Sequence, residues 1–508
     1  MPDADAKSLF EQQFRTAMDR SGLILDASEI EGLHKLAAWM HDGIGALASP
    51  PDVLADRVLD LSIPELGQRL RDGRLTVVAL VKATLARIRA RDGKYRSFYK
   101  VLEDEALEAA ARADAELAAG EDRGPLHGIP IGIKDLIDVA GVSTTANAPG
   151  RRDAIAERDA ESVRRLRDAG AIIIGKLATY EWATVGPDSK GLFPPARNPW
   201  NLERITGGSS SGCAAAVAGG LLRATVGTDT GGSVRGPSFY CGTVGLKPTF
   251  GAVPTDGVLE LSPSLDHVGP IGASVLDVAL TFDVLAGRIG ERSVIPGHHQ
   301  RAEKVKIGYA RDWFARDSQA MPEVIAAVDA AVSTLSQLGM VVEEVDLPDY
   351  AAVEVAVAAI LHAESFRGHA DALREHPEGY GRRAFLSLAA GLAVSEDELA
   401  RARAEGQRFT GTVDDLLERF DVIVTAGALT TALPAAPFEK EAVWTPMRTI
   451  GFNLSGHPVL ALPVGFHDGL PIGMQIVGRH HDEAGVLRVG HAFEQQSDVS
   501  LQRPPRPS

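Results

Sequence analysis

Cysteine is almost absent: Cys213 and Cys241 are the only two in 508 residues. Two thiols cannot supply the disulfide framework of a small secreted scaffold. Neither has a histidine beside it in sequence, so both read as small buried packing residues rather than catalytic thiols. Basic residues are also in deficit, 52 Lys and Arg against 68 Asp and Glu, for a net charge of −16 with no Lys/Arg block. A chain of that charge repels a phosphate backbone, so no nucleic-acid partner is expected. Long apolar runs are missing too: "CAAAVAGGLL" stops at Arg223, well short of a bilayer span. The stretch "MPDADAKSLFEQQF" has neither the basic start nor the apolar core of a signal peptide. These absences lead to the expectation of a cytoplasmic protein without a membrane segment.

What is present is ordinary globular material, 45% hydrophobic and 24% charged residues, enough for a large core. Residues 1–75 read as a helical segment. "DASEIEGLHKLAAWMHDGIGAL" repeats Ile30, Leu33, Leu36 and Met40 at helical spacing behind Ser28, and "SIPELGQRLRDG" predicts a short helix between Ser62 and Gly73. "EDEALEAAARADAELAAG" predicts a helix stopping at Gly120. Beyond it, buried strands at "HGIPIGIKD", "AIIIGKL" and "RATVGTD" alternate with helices at "DAESVRRLRDAG" and "CAAAVAGGLL". Further strands are expected at "KVKIGYA", "GMVVEEVDL", "DVIVTAGAL" and "PVLALPVGF", the last forming a hairpin with "LPIGMQIVGR" across "HDG". The rhythm predicts an α/β fold, a large mixed sheet covered by helices, as one domain over 76–500 with an Ala-rich helical insertion at about 350–419.

Two Gly-Gly-Ser turns lie within thirty residues, "TGGSSSGCAAAVAGG" from Thr206 and "TDTGGSVRGPSFYCG" from Thr228. Serine attacks an acyl carbon only when a base takes its proton and donors receive the oxyanion. Thr230, Gly231, Gly232 and Ser233 follow an apolar strand and precede a helix start at Pro237, a junction where backbone N–H groups converge. Taken alone, such glycine-serine runs are more often loops. "GGSSSG" lacks the Gly-Lys-Ser/Thr ending of a phosphate loop. Gly208–Gly212 satisfies G-x-S-x-G, but the polar "RNPWNLERIT" before it is no buried strand, against a nucleophile elbow.

"GGSSSGCAAAVAGG", "GTDTGGSVRGPSFYCGTVGLKPTFG" and "LHGIPIGIKDLIDVAG" together resemble the signature of the amidase signature family of serine hydrolases. "RNPWN", "SPSLDHVGPI" and "GFNLSGHPVLALPVGFHDGLPIGMQIVGR" resemble its further blocks, in the family's order, over about residues 60–495. The resemblance implies a Ser–cis-Ser–Lys triad: Ser233 as nucleophile, Ser209 as bridging serine behind a cis peptide, and Lys134 as base. It also implies an oxyanion hole from the N–H groups of Thr230 to Ser233, with Ser210 hydrogen-bonded to Lys134 and Asp229 and Arg235 bracing the loop. A lysine acts as a base only when neutral, and Ile131, Ile133, Leu136 and Ile137 would desolvate Lys134.

Gly236, Trp182, Trp444, Met447 and Phe452 fall in or near blocks that line the family's cleft, and are the candidate substrate pocket. The pairs His298-His299 and His480-His481 lie in predicted loops without a matching carboxylate cluster, so no metal and no cofactor are expected. His127, His267 and His457 read as packing or hydrogen-bonding residues. The expected activity is hydrolysis of a small-molecule amide, or a related carbamate or anilide, with a homodimer as the candidate assembly. The alternative is the A-type subunit of a glutamine-dependent transamidation complex, which would need partner subunits. A scaffold that binds amides without turnover is disfavoured by the complete Ser233, Ser209 and Lys134 set.

Overall fold

Short buried apolar runs with glycine at their ends make most of the strands, and they assemble into one sheet. The computed structural model describes residues 28–35, 37, 58–288, 293–295 and 302–505. Cα proximity divides the chain into two units, Met1–Val58 and Leu59–Ser508. In the first, residues 28–35 are helical with Ile30 and Leu33 exposed, while Leu36 and Met40 lie outside the described residues.

The second unit carries the eleven strands of the sheet: β1 (Phe98–Val101), β2 (Pro130–Lys134), β3 (Ile172–Leu177), β4 (Ala224–Asp229), β5 (Val244–Lys247), β6 (His267–Gly272), β7 (Lys306–Tyr309), β8 (Val341–Glu344), β9 (Val422–Ala426), β10 (Val459–His467) and β11 (Leu470–Gly478). Their spatial order is β1-β3-β2-β4-β6-β5-β10-β11-β9-β7-β8. The sheet is mixed: β3, β2 and β4 run parallel, as do β9, β7 and β8, and the strands between pair antiparallel. Every residue of β2, β3, β4, β5, β6 and β9 is buried, as expected where helices cover both faces. Edge strand β8 is mostly exposed to solvent, Val341 included.

Asp468 and Gly469 join β10 to β11 with φ of 48° and 72°, the two left-handed residues that a tight hairpin needs. Four helices carry or flank the candidate residues: α1 (Ser211–Ala218), α2 (Arg235–Cys241), α3 (Tyr350–Glu375) and α4 (Glu396–Arg419). Helix α1 has almost no polar face because it is buried from Ser211 to Val217. Helices α3 and α4 fill the predicted helical region and bury Val353, Val357, Ile360, Phe409 and Val413 in a common core. Helix α4 opens on a capping box, Ser395 with Glu398. Among the described residues no helix is long and apolar enough to cross a membrane.

Candidate active site

Strands β2 and β4 are parallel neighbours with Ile133 opposite Val226, so the C-terminal end of β2 lies beside the C-terminal end of β4. In sheets of this kind ligands collect outside the carboxyl ends of strands. Lys134 is the last residue of β2, and its fully buried Nζ lies 2.7 Å from Ser209 Oγ and 2.8 Å from Thr228 Oγ1. Burial pushes the lysine down to about 7, against the weaker opposing pull of carboxylates such as Asp229. A large share of Lys134 is therefore neutral near neutral pH.

Ser209 stands just before α1, after a cis Gly208–Ser209 peptide. A Cβ on Gly208 would clash with the Tyr180 ring, which accounts for glycine there. Ser210 has a different partner from the one expected. Its Oγ donates to the Thr228 carbonyl at 3.1 Å, and the position beside Lys134 belongs to the Thr228 hydroxyl. The register of β2 against β4 brings Thr228 there, and no local pattern announces it.

Ser233 lies in the loop from β4 to α2 and is 9% exposed at the cleft wall. The loop is held from beneath by Asp229, whose carboxylate accepts from the N–H groups of Gly232 (2.8 Å), Val234 (3.0 Å) and Arg235 (3.3 Å). The fully buried Arg235 adds bonds from Nε (3.1 Å) and Nη2 (3.0 Å), and Asn453 one from Nδ2 (2.8 Å). Burial by itself would raise the Asp229 carboxyl, but Arg235 and Asn453 outweigh it and hold the group well below the ordinary carboxylate range. Arg235 also donates to Thr449 O at 2.9 Å and Asn453 Oδ1 at 2.6 Å, tying the loop to the segment before β10.

One expected oxyanion donor is withdrawn by this bracing: the Gly232 N–H points to Asp229 and not to the cleft. Among the described residues the N–H groups of Thr230, Gly231 and Ser233 have no protein acceptor. Gly232 matters for its backbone instead, with φ of 124° and Thr449 Oγ1 occupying the place a Cβ would need.

The cleft above Ser233 has a volume of about 600 Å³. Leu261, Leu361, Leu386, Val443, Met447 and Ile450 supply apolar wall, and Trp444 stands at it 61% exposed. Three of the expected pocket residues lie elsewhere. Phe452 is fully buried in the core under α3 and α4. Trp182 packs edge-on against His369 at 4.4 Å and stacks on Tyr380, so its ring serves another cluster. Gly236 sits one layer behind the wall, its Cβ position 3.0 Å from the Met447 sulfur. Spacing in the chain cannot separate a wall residue from the residue that backs it.

Two of the charged groups at the cleft, Glu354 and Arg383, are committed to protein partners. Glu354 accepts from Trp444 Nε1 at 2.9 Å. Arg383 donates to the carbonyls of Phe438, Glu439 (2.8 Å) and Pro187 (3.3 Å). Lys440 and Glu441 are exposed residues of the wall.

Both cysteines are buried and free, and burial pushes the Cys213 thiol up to about 12, so it stays protonated. Two buried lysines escaped the sequence reading. Lys176 Nζ lies 3.2 Å from Asp135 and donates to Ile137 O at 2.6 Å. Lys247 Nζ meets His267 Nε2 at 3.1 Å, and burial holds both groups well below their ordinary values. His127 accepts from the Arg123 N–H at 3.2 Å. His298 and His299 lie outside the described residues.

The family model described as Amidase matches residues 79–487. A protein named as an A-type subunit of glutamyl-tRNA(Gln) amidotransferase, from Roseiflexus sp. (strain RS-1), is 36% identical over 482 residues, covering 88% of this chain and 98% of that protein. A solved structure described as an amidase superposes with a TM-score of 0.78 at 33% identity, over 86% of this chain and 100% of the other. The native peptide amidase from Stenotrophomonas maltophilia gives 0.76 at 29% identity, over 88% and 98% of the two chains.

Proposed function

This chain belongs to the amidase family, and from that premise we propose that it cleaves a carboxylic amide through an acyl-enzyme on Ser233, with Ser209 and Lys134 as its proton relay. The observation that carries the proposal is the buried Lys134 amine, hydrogen-bonded to Ser209 in the wall that also presents Ser233. Neutral Lys134 accepts the Ser209 proton as Ser209 takes that of Ser233, and Ser233 Oγ bonds to the amide carbon. The negative charge on the former carbonyl oxygen is received by N–H groups of Thr230, Gly231 and Ser233. Collapse breaks the C–N bond as the proton returns through Ser209 to the departing nitrogen. A water molecule, deprotonated along the same route, then releases the carboxylic acid and restores Ser233.

The cleft supports a neutral amide with an apolar acyl or amine group as the substrate. Much of its wall is apolar, and Arg383 already serves three backbone carbonyls. A second reading, the glutamine-cleaving A-type subunit of an amidotransferase with protein partners, is favoured by the name and 36% identity of the Roseiflexus relative. Glutamine carries a carboxylate and an ammonium, and it needs paired charges that the cleft would have to supply from Lys440, Glu354 or Glu441 at its wall. The test is turnover by the purified full chain on an aryl-substituted primary amide, an anilide, acetamide and glutamine. A kcat/KM for the aryl amide at least tenfold above that for glutamine is expected. Glutamine as the best substrate would overturn the apolar reading in favour of the second, and absence of turnover on all four would count against a lone amidase.

A further inference from the structure

Far from the relay, three donors that the sequence keeps apart come together. Asp414 lies in the last turns of α4, His457 two residues before β10, and His480 two residues after β11. Pairing of Val459 with Val477 brings the start of β10 beside the end of β11, and so places the two histidines at the same end of the sheet. Arg479 clasps that end to α4, with Nε to Leu417 O at 2.7 Å, Nη2 to Phe420 O at 2.7 Å and Nη1 to Asp421 at 3.2 Å. Asp414, one turn before Leu417, is thereby aimed at the pair.

His457 Nε2 lies 3.1 Å from Asp414 Oδ1 and His480 Nε2 4.0 Å from the same oxygen, with one donor atom of each residue within 4.8 Å of the others. Donors each about 2.0–2.1 Å from a tetrahedral zinc are about 3.3 Å apart, so small rotations of exposed side chains would close this set. His457 is buried, and its Nδ1 is engaged by Ser455 Oγ at 3.0 Å, which leaves Nε2 as the ligating atom. Asp414 and His480 are 50% and 40% exposed, giving an ion a path from solvent. The His481 backbone turns away at φ of 64°, its N–H bound to Thr249 Oγ1, so only His480 of the adjacent pair joins the group.

We propose that Asp414, His457 and His480 bind a borderline divalent transition-metal ion, with zinc the representative case. Two imidazoles and one carboxylate suit zinc, nickel or cobalt, whereas magnesium prefers an all-oxygen shell. The fourth position is left to water. The site is structural: it fastens helix α4 to the segment between Asn453 and β10, and Asn453 holds Asp229 beneath the Ser233 loop.

The test is calorimetric titration of the full chain with zinc chloride after chelator treatment, with magnesium chloride as control. Saturable one-to-one zinc binding is expected, with no magnesium binding. Affinity should fall at least tenfold in Asp414→Asn and in His480→Gln, whose side chains are exposed enough for the metal-free fold to survive. Zinc should also raise the melting temperature of the unsubstituted chain and not that of either variant. No saturable zinc binding, or unchanged affinity in a variant that melts like the metal-free parent, would overturn the site. A hydrogen-bonded Asp–His pair beside two histidine rings packed at 4.0 Å with a 30° tilt would then account for the geometry. Because the readouts are binding and melting, the outcome is independent of amide turnover.

Discussion

If Lys134 is the base, kcat/KM must follow its deprotonation. Burial lowers the group from 10.5 to about 7, a difference worth roughly 5 kcal/mol at about 1.4 kcal/mol per pH unit. About half of the chains would then carry neutral Lys134 at pH 7, and about a tenth at pH 6. The prediction is a kcat/KM that rises close to tenfold per pH unit below neutrality and levels above about pH 8. Lys134→Arg should lose at least about three orders of magnitude, since a guanidinium stays charged and cannot accept the Ser209 proton. The same displacement affects folding, with a sign that can be checked. The folded chain gives up its Lys134 proton more readily than the unfolded chain, so the penalty is full below pH 7 and fades as pH rises from 7 toward 10.5. Lys134→Met should therefore raise the melting temperature most at or below pH 7, with the gain shrinking toward pH 10. The assays are initial rates on one amide from pH 5.5 to 9 and thermal melts over the same range and beyond. A flat rate profile, or an arginine variant within tenfold of the parent, would refute the neutral-lysine mechanism.

Ser233→Ala should abolish turnover and labelling by a fluorophosphonate while melting like the parent; unchanged labelling, read by mass spectrometry, would move the nucleophile elsewhere. Asp229→Asn leaves the Arg235 charge buried with its partner neutralised, so denaturant unfolding should show a loss of about 3–5 kcal/mol along with a fall in kcat as the loop loosens. A stability equal to the parent's would mean that the Asp229–Arg235 pair does not hold the loop. Met447→Ala should open the wall in front of Gly236 and raise kcat/KM for a bulky aryl amide relative to acetamide by roughly tenfold. A uniform change for both substrates would remove Met447 from the specificity wall.

Much was legible from the chain because it was local. The strands at "AIIIGKL" and "RATVGTD", the hairpin at Asp468-Gly469 and the capped helices each follow from residues a few positions apart, and the structure has them at those places. The short strands β1, β5 and β6 were not foreseen. They are four to six residues long, and half of β6 is glycine and proline, so what makes them strands is their neighbours in the sheet. The motif residues Lys134, Ser209 and Ser233 could be named together from the resemblance, and the structure brings all three to one cleft wall or into direct contact with it.

The sequence by itself determined the fold class, the covered sheet and the types of group available for chemistry, because periodicity and turn residues act over a few positions. Tertiary structure alone decided which of those groups meet. It put the Thr228 hydroxyl where Ser210 was expected, turned the Gly232 N–H to Asp229, set Phe452 and Trp182 apart from the cleft, and carried Asp414 to His457 and His480. Each of these depends on strand register or on the seating of a helix against the sheet. A shift of one residue in register sends every side chain to the opposite face, so contacts between distant residues are fixed by packing of the whole and leave no mark on the residues next to them.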